Sequence, residues 1–205
     1  LRAQRGATYR IRVHNRTAQR VGLVIAVDGR NIVTGARSEL QRREGMYVLE
    51  PWSDGDFAGW RTDLSSVNEF YFTEWSNSYA EAFADRSARG VIAVAAYPER
   101  VEYRPEAAQR RAEGDRAVAP SAERGAGTGY GERRRDPVRR VEFEPQGAAL
   151  AQVFLKYEWP ETLCRRGLGC NSRRENPNRF WDEDDNGFAP PPPPPRFRRG
   201  EARLH

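Results

Sequence analysis

Lysine is almost missing from this 205-residue chain: Lys156 is the only one, and every other of the 34 basic residues is arginine. With abundant alanine, glycine and proline, that bias points to a GC-rich bacterial genome. Arginine also favours bidentate contacts to carboxylates and phosphates at interfaces. Histidine is nearly as scarce, with His14 in an early alternating segment and His205 at the end. One internal imidazole, on the arginine-bearing side of a strand, supports no Ser/His/Asp set. No run of 18 apolar residues occurs, so no segment reads as a membrane-spanning helix. No Gly-Lys-Ser/Thr is present, and the glycines of Gly125 to Gly131 lack the dinucleotide-binding spacing. That stretch reads as a turning loop that feeds the next strand. No carboxylate pair sits in an apolar setting that would mark a general acid. Together these gaps argue against an enzyme.

Cysteine is limited to Cys164 and Cys170, in Cys-Arg-Arg-Gly-Leu-Gly-Cys. Two thiols without a nearby histidine or a second cysteine pair cannot close a zinc site. A disulfide across so short a glycine-bearing loop would stabilise by about 2 kcal/mol. The chain also opens at Leu1 rather than at methionine. A processed leader and a paired, closely spaced cysteine set lead to the expectation of an extracytoplasmic location, in the periplasm or at the cell surface.

What is present is strand periodicity. Tyr9, Ile11 and Val13 alternate with Arg10, Arg12 and His14, the pattern of a strand with one wet face. Val21 to Val27 carries small or apolar residues on both faces, which predicts an inner strand. Asp28-Gly29 is a hairpin-turn signal. Further strands are expected over 46–49, 56–60, 67–73, 90–97, 138–143 and 150–157, with a turn or two of helix over 78–86. Short strands without long amphipathic helices between them predict an all-β chain. The expected form is an antiparallel β-sandwich of jelly-roll or Ig-like type. The expected domain is 1–158, interrupted by a polar insertion at about 103–127 that carries a short surface helix over 105–113.

From residue 159 to 205 no periodicity survives, and an extended Pro/Arg-rich tail is expected. Pro190 to Pro195 favours a polyproline II rod of about 19 Å. Such segments lose little entropy on docking. Phe180, Trp181, Phe188 and Phe197 read as apolar anchors, with Arg196, Arg198 and Arg199 pairing to acids on a partner. Asp182, Asp184 and Asn186 match early ligand positions of a calcium loop, but Pro193 stands where the bidentate carboxylate belongs. No cofactor is therefore expected, with calcium as the alternative. Arginine clusters at Arg133 to Arg135, Arg139-Arg140 and Arg196 to Arg199 raise nucleic acid. Interleaved acids (29 in all) and the absence of any recognition motif argue against it.

The strands also carry a resemblance. Tyr9-Arg-Ile-Arg-Val-His-Asn15, Arg20-Val21 through Val27-Asp28-Gly29 and Tyr47-Val-Leu-Glu-Pro51 form its first half. Gly59-Trp-Arg61, Phe70-Tyr-Phe-Thr73, Ser78-Tyr-Ala80, Gly90-Val-Ile92 and Gly127-Thr-Gly-Tyr-Gly-Glu132 follow. In this order, over about 9–157, they resemble a family of uncharacterised bacterial exported proteins. The resemblance implies an exported β-domain and no particular activity; related sequences tend to carry histidine where Tyr130 stands here. The expectation is a non-catalytic accessory subunit. It would dock on the extracytoplasmic face of a larger, membrane-bound protein complex, with possible peripheral contact to the membrane, and its tail would lie on a neighbouring subunit. The alternative is a free carbohydrate- or ligand-binding module, with Trp52, Trp60, Trp75 and Tyr79 as a stacking surface.

Overall fold

The computed structural model describes residues 1–100 and 125–168. The helix expected over 105–113 lies outside them. So do Cys170, Phe180, Trp181, Phe188, Arg196, Phe197, Arg198 and Arg199, and the calcium candidates Asp182, Asp184 and Asn186. The compact unit that contains the described residues runs from Leu1 to Cys170.

The described chain is all-β, with twelve short strands in several antiparallel sheets and almost no helix. In order these are β1 (Ile11–His14), β2 (Val21–Val27), β3 (Arg30–Asn31), β4 (Tyr47–Leu49), β5 (Asp54–Phe57) and β6 (Gly59–Arg61). After them come β7 (Ser66–Glu69), β8 (Phe72–Glu74), β9 (Val91–Pro98), β10 (Ala126–Thr128), β11 (Arg133–Arg135) and β12 (Ala151–Lys156). One α-helix, α1 (Pro160–Arg165), closes the described part.

The largest sheet runs β12-β9-β2-β3, with β4 also on β2. β2 and β9 pair over seven residues, from Val21↔Pro98 to Val27↔Ile92. Every residue of β2 is buried, which fits the absence of a polar residue on either of its faces. Leu23, Ile25 and Val27 enter the main core with Ile11, Trp60, Phe70, Phe72, Ile92 and Tyr157. Each such side chain contributes about 1.5–3 kcal/mol. The opposite face, with Val24, Ala26, Ala93 and Ala95, is covered by Leu40, Met46 and Ala149 from connecting segments. The strand expected over 138–143 is not formed. That stretch has no ladder, and the Phe143 ring presses on Gly22, where any Cβ would meet it at 2.5 Å.

The other strands fall in three smaller sheets, β1-β5, β10-β8 and β11-β7-β6. Residues 126–135 run beside 66–74 without a break. β10 pairs with β8, β11 pairs with β7, and the Gly129 and Gly131 amides donate to Tyr71 O and Glu69 O between them. Within the Gly125–Gly131 stretch, expected as a turning loop, Ala126–Thr128 is strand, so Ala126 and Gly127 belong to a sheet rather than to the expected insertion. Gly129 is required by close approach, since a Cβ there would lie 2.2 Å from the Tyr71 ring. On the far side of 66–74, β6 pairs with β7, and the Tyr9 amide donates to Phe70 O.

Local order continues past residue 158. Pro160 at the first turn starts α1, as its missing N–H allows. Trp159 is buried in the main core. The Arg5 guanidinium lies 4.4 Å over the Trp159 ring and bonds Glu74 and Glu161 at 2.9 and 3.0 Å. Cys164 sits in this helix.

Candidate functional site: an open sheet edge, an aromatic ladder and a buried carboxyl

β12 pairs with β9 over six residues, from Ala151↔Ala96 to Lys156↔Val91. Its neighbour is mostly buried, yet all six residues of β12 are exposed. Val153 and Leu155 stand opposite Val94 and Ile92 and share their face, while Phe154, opposite Ala93, lies on the other. They are 49%, 42% and 61% exposed, and Leu150 just before them is 58% exposed. The strand thus projects beyond the core cover on both faces. The Tyr157 amide turns inward to Gly90 O, and the Lys156 carbonyl turns outward to the Leu1 nitrogen. Strand alternation then points the backbone groups of Gln152 and Phe154 outward, where no described residue meets them.

β11 is also an edge strand and has the opposite chemistry. It reads Arg-Arg-Arg, with Arg133 on Asp63 at 2.5 Å and Arg134 on Glu69. Charge on an edge deters pairing with another chain, whereas a flat apolar edge invites it. The sequence predicts a strand over 150–157, and nothing in its local apolar pattern shows that it would lie at an exposed edge.

The expected stacking quartet does not form one surface. Trp60 and Trp75 are buried, at 2% and 6% exposure, and Trp52 stands 70% exposed with no ring partner among the described residues. Only Tyr79 reaches a surface cluster. Trp60 packs on Tyr79 at 4.4 Å, Tyr79 stacks on Tyr130 at 5.2 Å and 16°, and Phe83 meets Tyr79 edge-on at 5.0 Å. The Trp60 indole N–H donates to Gly129 O at 3.0 Å. Sequence reasoning missed Tyr130 and Phe83 as members of this cluster.

A third constellation is wholly internal. Asp28 and Gly29 both have positive φ, 50° and 82°, as a two-residue hairpin turn requires. The Asp28 side chain folds inward. It accepts from the amides of Gly90 and Thr128 and from the Tyr157 hydroxyl, all at 2.7 Å. Thr128 Oγ1 in turn lies 2.7 Å from both the Tyr157 and Tyr9 hydroxyls. Burial pushes the Asp28 carboxyl up to about 6, against the pull of its three donors. Burial and the neighbouring carboxylate push the Tyr157 phenol well above its usual value. Asp28, Thr128 and Tyr157 are fully buried, so this network ties four distant segments together rather than meeting a ligand. His14, by contrast, is exposed on β1 beside Asp54 at 2.5 Å.

Among the described residues no cluster of three or more His, Cys, Asp or Glu could hold a metal. No helix among them is long and apolar enough to cross a membrane. No family model, curated protein or solved structure matches the chain.

Proposed function

We propose that this chain is a non-catalytic accessory subunit that docks, through the open edge of β12, on the extracytoplasmic face of a larger membrane-bound protein complex. Its strands would pack as a two-layer sandwich of jelly-roll or Ig-like type. The observation that carries the docking reading is the contrast between its edges: β11 is guarded by three arginines, while β12 offers outward backbone groups and apolar side chains on both faces. The occupant this edge suits is an extended, apolar-alternating segment of a partner subunit, added as one more strand. Lys156, the one cation on β12, is already engaged at the Arg89 carbonyl, so charge does not oppose the approach.

Phe154→Arg tests this directly. The side chain is exposed, so unfolding free energy should stay within about 0.5 kcal/mol of the parent. Co-purification of the partner complex from native extract should be lost. A variant that keeps its partners in parental amounts would end the β12 reading.

The extracytoplasmic assignment has its own check. The unreduced, denatured protein should show no titratable thiol, and reduction should release two. Free thiols before reduction would remove the argument from Cys164 and Cys170 for an oxidising compartment.

A further inference from the structure

We infer that in the free protein the β12 edge is closed by β12 of a second copy, the two strands running antiparallel about a two-fold axis at Val153. The inference rests on the proposed reading of β12 as a strand-accepting edge, and adds what holds that edge before a partner complex takes it.

The register follows from which backbone groups are free. At one end the Leu150 amide is turned inward to Ala96 O. At the other end Leu1–Ala3 lies along 156–158. There the Lys156 carbonyl accepts from the Leu1 nitrogen, the Glu158 amide donates to Leu1 O, and the Ala3 amide donates to Glu158 O. Between these ends, Gln152 and Phe154 are the residues whose outward donor and acceptor meet no described residue. Two antiparallel copies use every one of these groups when Gln152 of each stands opposite Phe154 of the other. A register that sets Phe154 opposite itself runs residues 150–152 into the Leu1–Ala3 segment of the other copy. One that sets Gln152 opposite itself pairs Phe154 with Leu150, whose amide points the wrong way. In the favoured register the chain also leaves the edge in time, because Ala149 turns onto the sheet face and packs there.

The side chains agree with this axis. Val153 meets Val153 of the second copy and Leu155 meets its Ala151, a continuous apolar row on one face. On the other face Phe154 lies against Gln152 of the second copy and diagonal to its Phe154, within reach of aromatic rings. Lys156 is the one charge on β12, and the axis holds the two copies of it about 20 Å apart, at 3.3–3.4 Å per residue. No like charges face each other. The contact is isologous, so it closes at two copies and joins their largest sheets into one, covering the apolar edge that each alone leaves open.

Cysteine at the axis reads the register. Val153 faces its own copy in a non-hydrogen-bonded pair, with Cα atoms about 4.5 Å apart, inside disulfide reach. Val153→Cys, at a position 49% exposed, should give a covalent dimer as the main species on non-reducing electrophoresis after mild oxidation. Leu155→Cys alone should not, because its two copies stand about 13 Å apart along the interface. Leu155→Cys mixed with Ala151→Cys should, since these positions face each other. The parent, with its own two cysteines, sets the background. In sedimentation velocity the parent should dimerise. Val153→Lys, which sets like charges face to face, should associate about tenfold or more weakly. A parent that stays monomeric at every concentration, or equal crosslinking at 153 and 155, would overturn the inference and leave the partner-complex reading to its own Phe154→Arg test. The oxidised Val153→Cys dimer should also lose the partner complex and regain it on reduction. A closed dimer that still holds the complex would sink the β12 docking reading alone.

Discussion

Asp28→Ala should destabilise the protein by about 4 kcal/mol, read from the midpoint of urea unfolding. The substitution strands the Gly90 and Thr128 amides in the interior, each at a cost of about 1–3 kcal/mol, and leaves the Tyr157 hydroxyl with Thr128 Oγ1 alone. It also places alanine at φ +50°, which aspartate tolerates better. Asp28→Asn keeps one acceptor oxygen and the turn preference, and should lose about half as much.

The same carboxyl predicts a pH dependence with a definite sign. Its folded value is about 6 and its ordinary value 3.8, so between these limits the folded state holds the extra proton. Stability from this group is therefore fully present below pH 3.8 and lost as pH rises through 6. The amount is about 3 kcal/mol at 1.36 kcal/mol per unit. The neutral acid is accommodated because the hydroxyl chain can reverse, with Asp28 donating to Tyr157 and Tyr157 to Thr128. Other carboxylates act in the opposite direction; Asp63, held near 2 by Ser65 and Arg133, loses its contribution as pH falls. The clean readout is the stability difference between parent and Asp28→Asn, which should shrink from pH 4 to pH 7. A difference flat across that range would show that Asp28 is ionised throughout.

Trp60→Ala should be comparably severe, about 4 kcal/mol. It empties a buried site between Phe70 and Tyr79 and leaves the Gly129 carbonyl without its donor. Trp60→Phe retains a ring and should cost less, chiefly the lost hydrogen bond. Thermal denaturation separates the two. If Trp60→Phe were as damaging as Trp60→Ala, the indole N–H rather than packing would be the main contribution at this position.

Local pattern carried much of this fold. Val21 to Val27 has no polar residue, so its burial followed from composition, and Asp28-Gly29 turned where positive φ was required. Alternation also located β1, and β-branched composition between turn residues located β9. What local pattern could not supply was context. β11 is three arginines, a composition no propensity favours for strand; it forms because Ser66 to Asn68 offers a ladder and Asp63 and Glu69 offer counter-charges. Phe143 looked like a strand residue because a cover residue over a sheet face is as apolar as one inside a sheet. The tie at Asp28 joins residues 28, 90, 128 and 157, distances at which no periodicity operates. The open edge of β12 was invisible for the same reason, since exposure belongs to the fold and not to the segment.

The long ladder between β2 and β9 has a kinetic consequence. Its partners lie at 21–27 and 92–98, and the shorter pairings of β1 with β5 (His14↔Asp54 at the nearest) and of β8 with β10 (Glu74↔Ala126) also join segments far apart in the chain. Little of this architecture can form from neighbours along the chain, so loop-closure entropy is lost before pairing compensates it, a regime in which domains fold in about milliseconds to seconds. During that interval Val-Gly-Leu-Val-Ile-Ala-Val and Val-Ile-Ala-Val-Ala-Ala-Tyr are both uncovered. These are uncharged, proline-free runs of the kind that pair with one another between molecules. Slowing the meeting of these two strands should therefore lower the soluble yield even where native stability is unchanged.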